Sequence, residues 1–108
     1  MGPTIDRQRL RHEYGALFDE IAATLFALDP VGIALESNSD EYEPEAGTIL
    51  PRLKSCRSLD DARRVIHEEF VRWFDVDVAG PESKYQEAAE RVWAVWIRAS
   101  ESPARESP

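Results

Sequence analysis

The chain has 108 residues, enough for one compact domain and too few for two ordinary ones. Apolar residues make up 43% and charged residues 31%, with 5 Gly and 7 Pro, a balance that excludes fibrous repeats and wholesale disorder. A net charge of −8 repels phosphate backbones and anionic lipid, so nucleic acid and membrane surfaces are disfavoured as partners, whereas a basic protein remains open as one.

The first residues carry Asp6, Arg7, Arg9 and Arg11 with no apolar stretch directly behind them, so no secretory signal is expected. The longest nearly apolar run, Ile21 to Leu28, falls far short of the ~20 residues of a membrane span. The single cysteine, Cys56, excludes an internal disulfide and suits a reducing compartment, which makes the expected location cytoplasmic.

Between Leu10 and Leu28, apolar residues at 10, 14, 17, 18, 21, 25 and 28 share one helical face and predict an amphipathic helix over 10–28. Gly15 inside it costs about 1 kcal/mol against Ala without breaking the pattern. Asp29-Pro30 ends it, because a residue before proline is pushed out of the α region, and Gly32 offers a turn.

Residues 36–45 hold five carboxylates and no base, so they supply −5 of the −8. Within them Asp40 and Glu43 have the spacing of a capping pair, which starts a second helix over 41–56. Tyr42, Ala46, Ile49, Leu50, Leu53 and Cys56 share its apolar face, and Pro51 predicts a kink.

Ser58-Leu-Asp-Asp opens a third helix over 58–74, with Leu59, Ala62, Ile66, Phe70, Trp73 and Phe74 as its stripe. Residues 75–81 read as a loop with a brief extended piece at Asp75-Val-Asp-Val-Ala. Ser83 with Gln86 gives another capping box, and Tyr85, Ala88, Ala89, Val92, Trp93, Trp96 and Ala99 define a fourth helix over 83–99. Residues 100–108, with Glu-Ser-Pro twice, read as a disordered tail. The fold class is all-α: a four-helix bundle-like single domain over 1–99.

Searches for chemistry each lack a required member. Asp75, Asp77 and Gly80 match positions one, three and six of a calcium loop, but Ala79 and Gln86 stand at five and twelve, where acids are needed. His67-Glu-Glu-Phe-Val lacks the second histidine of a zinc helix, and His12 lies on another helix. Cys56 lies on an apolar stripe, where burial disfavours the thiolate. The five glycines, at 2, 15, 32, 47 and 80, form no phosphate loop. No catalytic residue, metal or cofactor is therefore expected, although carboxylates such as Asp19, Glu68 and Glu69 could converge without any linear spacing to betray them.

The acidic stretch is the most specific remaining signal. Its bland reading is a solvated face that keeps the domain soluble. Its functional reading is a patch formed by Glu36, Asp40, Glu41, Glu43 and Glu45 that steers a basic protein partner. Of the three tryptophans, which fall on or beside core arcs, Trp93 lies nearest an edge and joins these residues as a candidate contact.

Asp29-Pro-Val-Gly-Ile, then Asp40-Glu-Tyr-Glu-Pro-Glu, with Ile49, Leu50, Leu53 and Cys56 downstream, resembles a small uncharacterised bacterial helical family, a domain of unknown function with an Asp-Pro-apolar-Gly corner and an Asp-Glu-Tyr helix start. The resemblance spans about residues 15 to 97 and implies a short, helical bacterial protein. Members often carry Trp before the Asp-Pro, where this chain has Leu28, and the family offers no catalytic residue to carry over. Small acidic bacterial proteins also serve as immunity proteins that neutralise toxins, an analogy of class alone. The sequence therefore points to a non-catalytic interaction domain, immunity-like, for a basic protein. The alternative is an orphan or accessory domain of an enzyme system with a cryptic carboxylate or His site.

Overall fold

A computed structural model describes residues 5–30 and 42–106, with side chains described up to residue 100. Asp6 opens α1 (Arg7–Tyr14) by accepting the Arg9 N–H on Oδ1 at 3.1 Å. Gly15 then adopts φ +61°, ψ −137°, conformational space that side chains rarely enter, and α2 (Ala16–Leu28) starts anew. The helix expected over 10–28 is thus two helices. The physical reason is packing: the break turns α1 onto the next helix, where Leu10 meets Gly47, while Phe18, Ile21, Ala22 and Leu25 of α2 enter the centre.

Asp29 ends α2 in the left-handed region at φ 49°, its N–H donating to the Leu25 carbonyl at 2.8 Å. The Tyr42 hydroxyl donates to Asp29 Oδ1 at 2.6 Å, so the end of α2 is tied to the start of α3 (Glu43–Leu53). Pro44 sits in the first turn, where no N–H is missed. Pro51 removes an N–H near the other end, and α3 stops at Leu53, short of the expected 56. Cys56 consequently lies beyond the helix, half-buried rather than in the core. The Asp40 half of the expected capping pair lies outside the described residues.

Ser58 starts α4 (Leu59–Phe74) as read: its Oγ accepts the Asp61 N–H at 3.2 Å, while Asp61 Oδ2 reaches back to the Arg57 N–H at 2.9 Å. That backbone N–H holds the Asp61 carboxyl below its ordinary range. The segment read as a loop with a brief extended piece forms a short helix instead, α5 (Val76–Ala79), because Asp75 Oδ1 caps the Val78 N–H at 2.9 Å. The Ser83–Gln86 capping box is not formed. A 3₁₀ turn (Glu82–Tyr85) begins after Pro81, and the Gln86 side chain accepts from Arg63 Nη1 at 2.6 Å and donates to Glu90 at 2.9 Å. From there α6 (Gln86–Glu106) runs past the expected end at 99.

The architecture is all-α and bundle-like. Helices α2, α3, α4 and α6 form a closed ring in which α2 packs on α3, α3 on α4, α4 on α6 and α6 on α2. Helix α1 lies outside the ring against α2 and α3, and α5 caps the α4 end. The interior holds Phe18, Ile21, Leu25, Tyr42, Leu50, Ile66, Phe70, Tyr85 and Val92, all fully buried. Phe70 is its hub, with ring centroids 6.0 Å from Tyr42, 5.8 Å from Phe74 and 5.1 Å from Tyr85. No described helix is long and apolar enough to cross a membrane.

Candidate functional site

The six residues singled out from sequence do not form one surface among the described residues. Glu36, Asp40 and Glu41 lie outside them. Glu43 and Glu45 are buried, at 9% and 3% exposure, which corrects the expectation that both stand in a solvent-facing patch. Glu43 Oε1 accepts from Arg7 Nε at 2.6 Å and its Oε2 from Arg11 Nη2 at 2.8 Å, so its charge clasps α1 to α3. The signal was present as Arg7 and Arg11, four apart and on one helical face, but their partner lies 36 and 32 residues away. Trp93 is half-buried and packs against the core.

Of the three carboxylates that could have converged, two share an arginine and the third stands apart. Asp19 pairs with Arg11 at 3.1 Å, whereas Glu68 and Glu69 both engage Arg52, at 2.7 and 2.9 Å. His12 is exposed, and the His67 Nε2 bonds the Gly80 carbonyl at 2.8 Å, which needs the proton on that nitrogen. Among the described residues no three His, Cys, Asp or Glu side chains gather as a metal-holding group. The Cys56 thiol is pushed up by burial, with the Asp61 charge adding to it.

What sequence reasoning set aside as a turn is the most solvent-facing apolar feature. Val76 and Val78 on α5 are 67% and 46% exposed, two of the three large apolar side chains exposed among the described residues. They alternate with Asp75 and Asp77, both exposed and neither within ion-pair distance of a described cation. The corner is braced from below: the Tyr85 hydroxyl donates to the Ala79 carbonyl, and His67 holds the next carbonyl while its ring lies 5.6 Å from that of Tyr85. Burial pushes the Tyr85 hydroxyl up to about 12, so it remains a donor at all physiological pH.

Cations elsewhere are largely consumed. Arg7, Arg11, Arg52, Lys54, Arg63, Arg64, Arg72, Arg91 and Arg98 each pair with a carboxylate of the chain. The surplus of negative charge is therefore left to acids outside these pairs, Asp75 and Asp77 among them. No family model, curated protein or solved structure matches the chain.

Proposed function

We propose that this chain is a non-catalytic interaction domain, of the acidic immunity-like kind, that holds a basic protein partner. The supporting observation is the α5 corner, where two exposed valines alternate with two carboxylates that have no described cation beside them. Apolar side chains give such a contact its affinity, and uncompensated carboxylates select a basic partner and speed encounter. Glu36, Asp40 and Glu41 add to that selection in this reading, and Trp93 contributes an edge contact. The bacterial family resemblance at Asp29-Pro30 and Asp40-Glu41-Tyr42 belongs to the same proposal, as does a cytoplasmic setting.

The test is capture from the source cells with wild-type chain and with a V76S/V78S/D77N variant, Asp75 being spared because it caps α5. A basic protein retained by wild type and lost from the variant, with melting temperatures within a few degrees, is the expected outcome. A captured partner that is acidic, or that binds the variant equally, overturns the reading of this corner.

A further inference from the structure

A concave feature lined by α1, α3 and Arg72 of α4 has a volume of about 500 Å³. That is the size range of small-molecule sites. Gly47 lets Ile5 and Leu10 pack directly on the α3 backbone beside it: a Cβ there would stand 2.8 Å from both Ile5 Cγ2 and Leu10 Cδ1. Ile5, Leu10, Tyr14 and Pro51 give the groove apolar walls, while four cations, Arg9, Arg52, Lys54 and Arg72, line it against only two acids, Asp6 and Glu13. Three of the four are ion-paired, Arg52 with Glu68 and Glu69, Arg72 with Glu69 and Lys54 with Glu13, which leaves Arg9 as the lining cation that no described carboxylate neutralises.

Two of these cations are held in place by a buried group. Glu69 is 1% exposed, and its two oxygens accept from Arg52 Nη1 at 2.9 Å and Arg72 Nη1 at 2.8 Å. One carboxylate thus fixes two guanidiniums from different helices side by side. Arg52 Nη2 turns to Glu68, and each guanidinium keeps N–H groups that these bonds do not use. Arg9 carries no ion pair with any described carboxylate, and its only described bond is the backbone N–H to Asp6. Lys54 spends one N–H on Glu13 at 3.2 Å and rests over the Tyr14 ring.

We infer that this groove binds a small amphiphilic anion, a carboxylate or phosphate head on an aliphatic or aromatic body, with the head at Arg9 and Arg72 and the body against Leu10 and Tyr14. A planar Arg72 guanidinium pre-oriented by buried Glu69, together with the unpaired Arg9 of the same lining, suits a two-oxygen anionic head, and the apolar walls supply what a bare inorganic anion could not use. The groove shares no lining residue with the α5 corner and does not depend on a protein partner.

The test is a titration of ¹⁵N-labelled chain with decanoate, decyl phosphate, decanol and decyltrimethylammonium, each below its micelle concentration, following the Gly47 and Thr48 amides. Saturable shifts of these amides with one or both anions, and at least ten-fold weaker binding of decanol and the cation, are expected, and comparison of the two anions distinguishes a carboxylate from a phosphate ligand. R9Q should weaken anion binding at least three-fold with no change in melting temperature, since that guanidinium holds no internal pair. R72Q should weaken it further, with circular dichroism confirming the fold. Absence of saturable shifts at Gly47 and Thr48, equal binding of the cationic amphiphile, or full affinity in R9Q overturns the assignment.

Discussion

Glu69 puts a carboxylate in the interior at a place where two arginines can reach it, and its removal separates charge from packing. Because hydrogen bonds to ionised groups contribute about 1.5 to 3 kcal/mol, and both arginines remain half in water, Glu69→Gln should cost about 1 to 3 kcal/mol, read by urea unfolding. No loss would mean that the arginines, not Glu69, dictate the local structure. Phe70 is fully buried at the meeting of three aromatic rings, so Phe70→Ala should cost about 3 to 5 kcal/mol and lower the melting temperature by well over 10 °C. A melt within a degree or two of wild type would remove Phe70 from the core. Tyr85 gives a pH dependence. Its hydroxyl is raised from an ordinary 10 to about 12, so the folded state holds the proton more tightly than the unfolded chain. The stabilisation is complete below pH 10 and fades as pH rises through about 12, a loss of about 3 kcal/mol. Tyr85→Phe should be less stable at neutral pH by about 1 kcal/mol for the lost bond to Ala79, yet flatter between pH 10 and 12; an unchanged alkaline slope would assign that titration to another group.

At the scale of elements, the helices that were legible are those whose caps and stripes are local. Ser58 and Asp61 lie three residues apart and make the bonds their spacing implied, and the stripe through Ala62, Ile66 and Phe70 is buried as read. What the sequence hid depends on distant partners. Gly15 looked like a tolerated glycine in one long helix, because the pattern continues across it; only the docking of Leu10 against Gly47, 37 positions further along, makes a break preferable. Glu43 and Glu45 looked solvated since acids at a helix start need no other explanation. Their burial depends, for Glu43, on arginines at the far end of the chain. The α5 turn was masked by short alternation, which is too brief to distinguish a strand from a capped helical turn. Two joints can be tested directly. Gly15→Ala must place a side chain at φ +61° and should cost about 1 to 2 kcal/mol, loosening α1 first in hydrogen exchange; protection of α1 equal to wild type would contradict the hinge. Asp75 sits at φ 115° while capping α5, so Asp75→Ala, which loses the cap and keeps the strain, should be less stable than Asp75→Gly by about 1 kcal/mol or more in thermal melts.

At the scale of the whole molecule, the ring of α2, α3, α4 and α6 is a scaffold that leaves the exposed valines of α5 at a corner. Nine of the cations neutralise the chain's own carboxylates, several across helix boundaries, as Arg98 does with Glu20 and Lys54 with Glu13. Such exposed pairs contribute little to stability individually, but they leave the acid surplus of the molecule without internal compensation. The bundle class could be read from four apolar stripes; the surface could not, because exposure at Val76 and Val78 is decided by where Tyr85 and His67 anchor the chain after α4. Recruitment by the acid surplus is read most directly from the association rate of the captured partner with this chain as ionic strength rises. An acidic surface steering a basic protein predicts a fall of about ten-fold or more between roughly 0.05 and 0.5 M NaCl, with the dissociation rate changing much less. An association rate that is flat across that range would contradict the claim that the acid surplus recruits the partner.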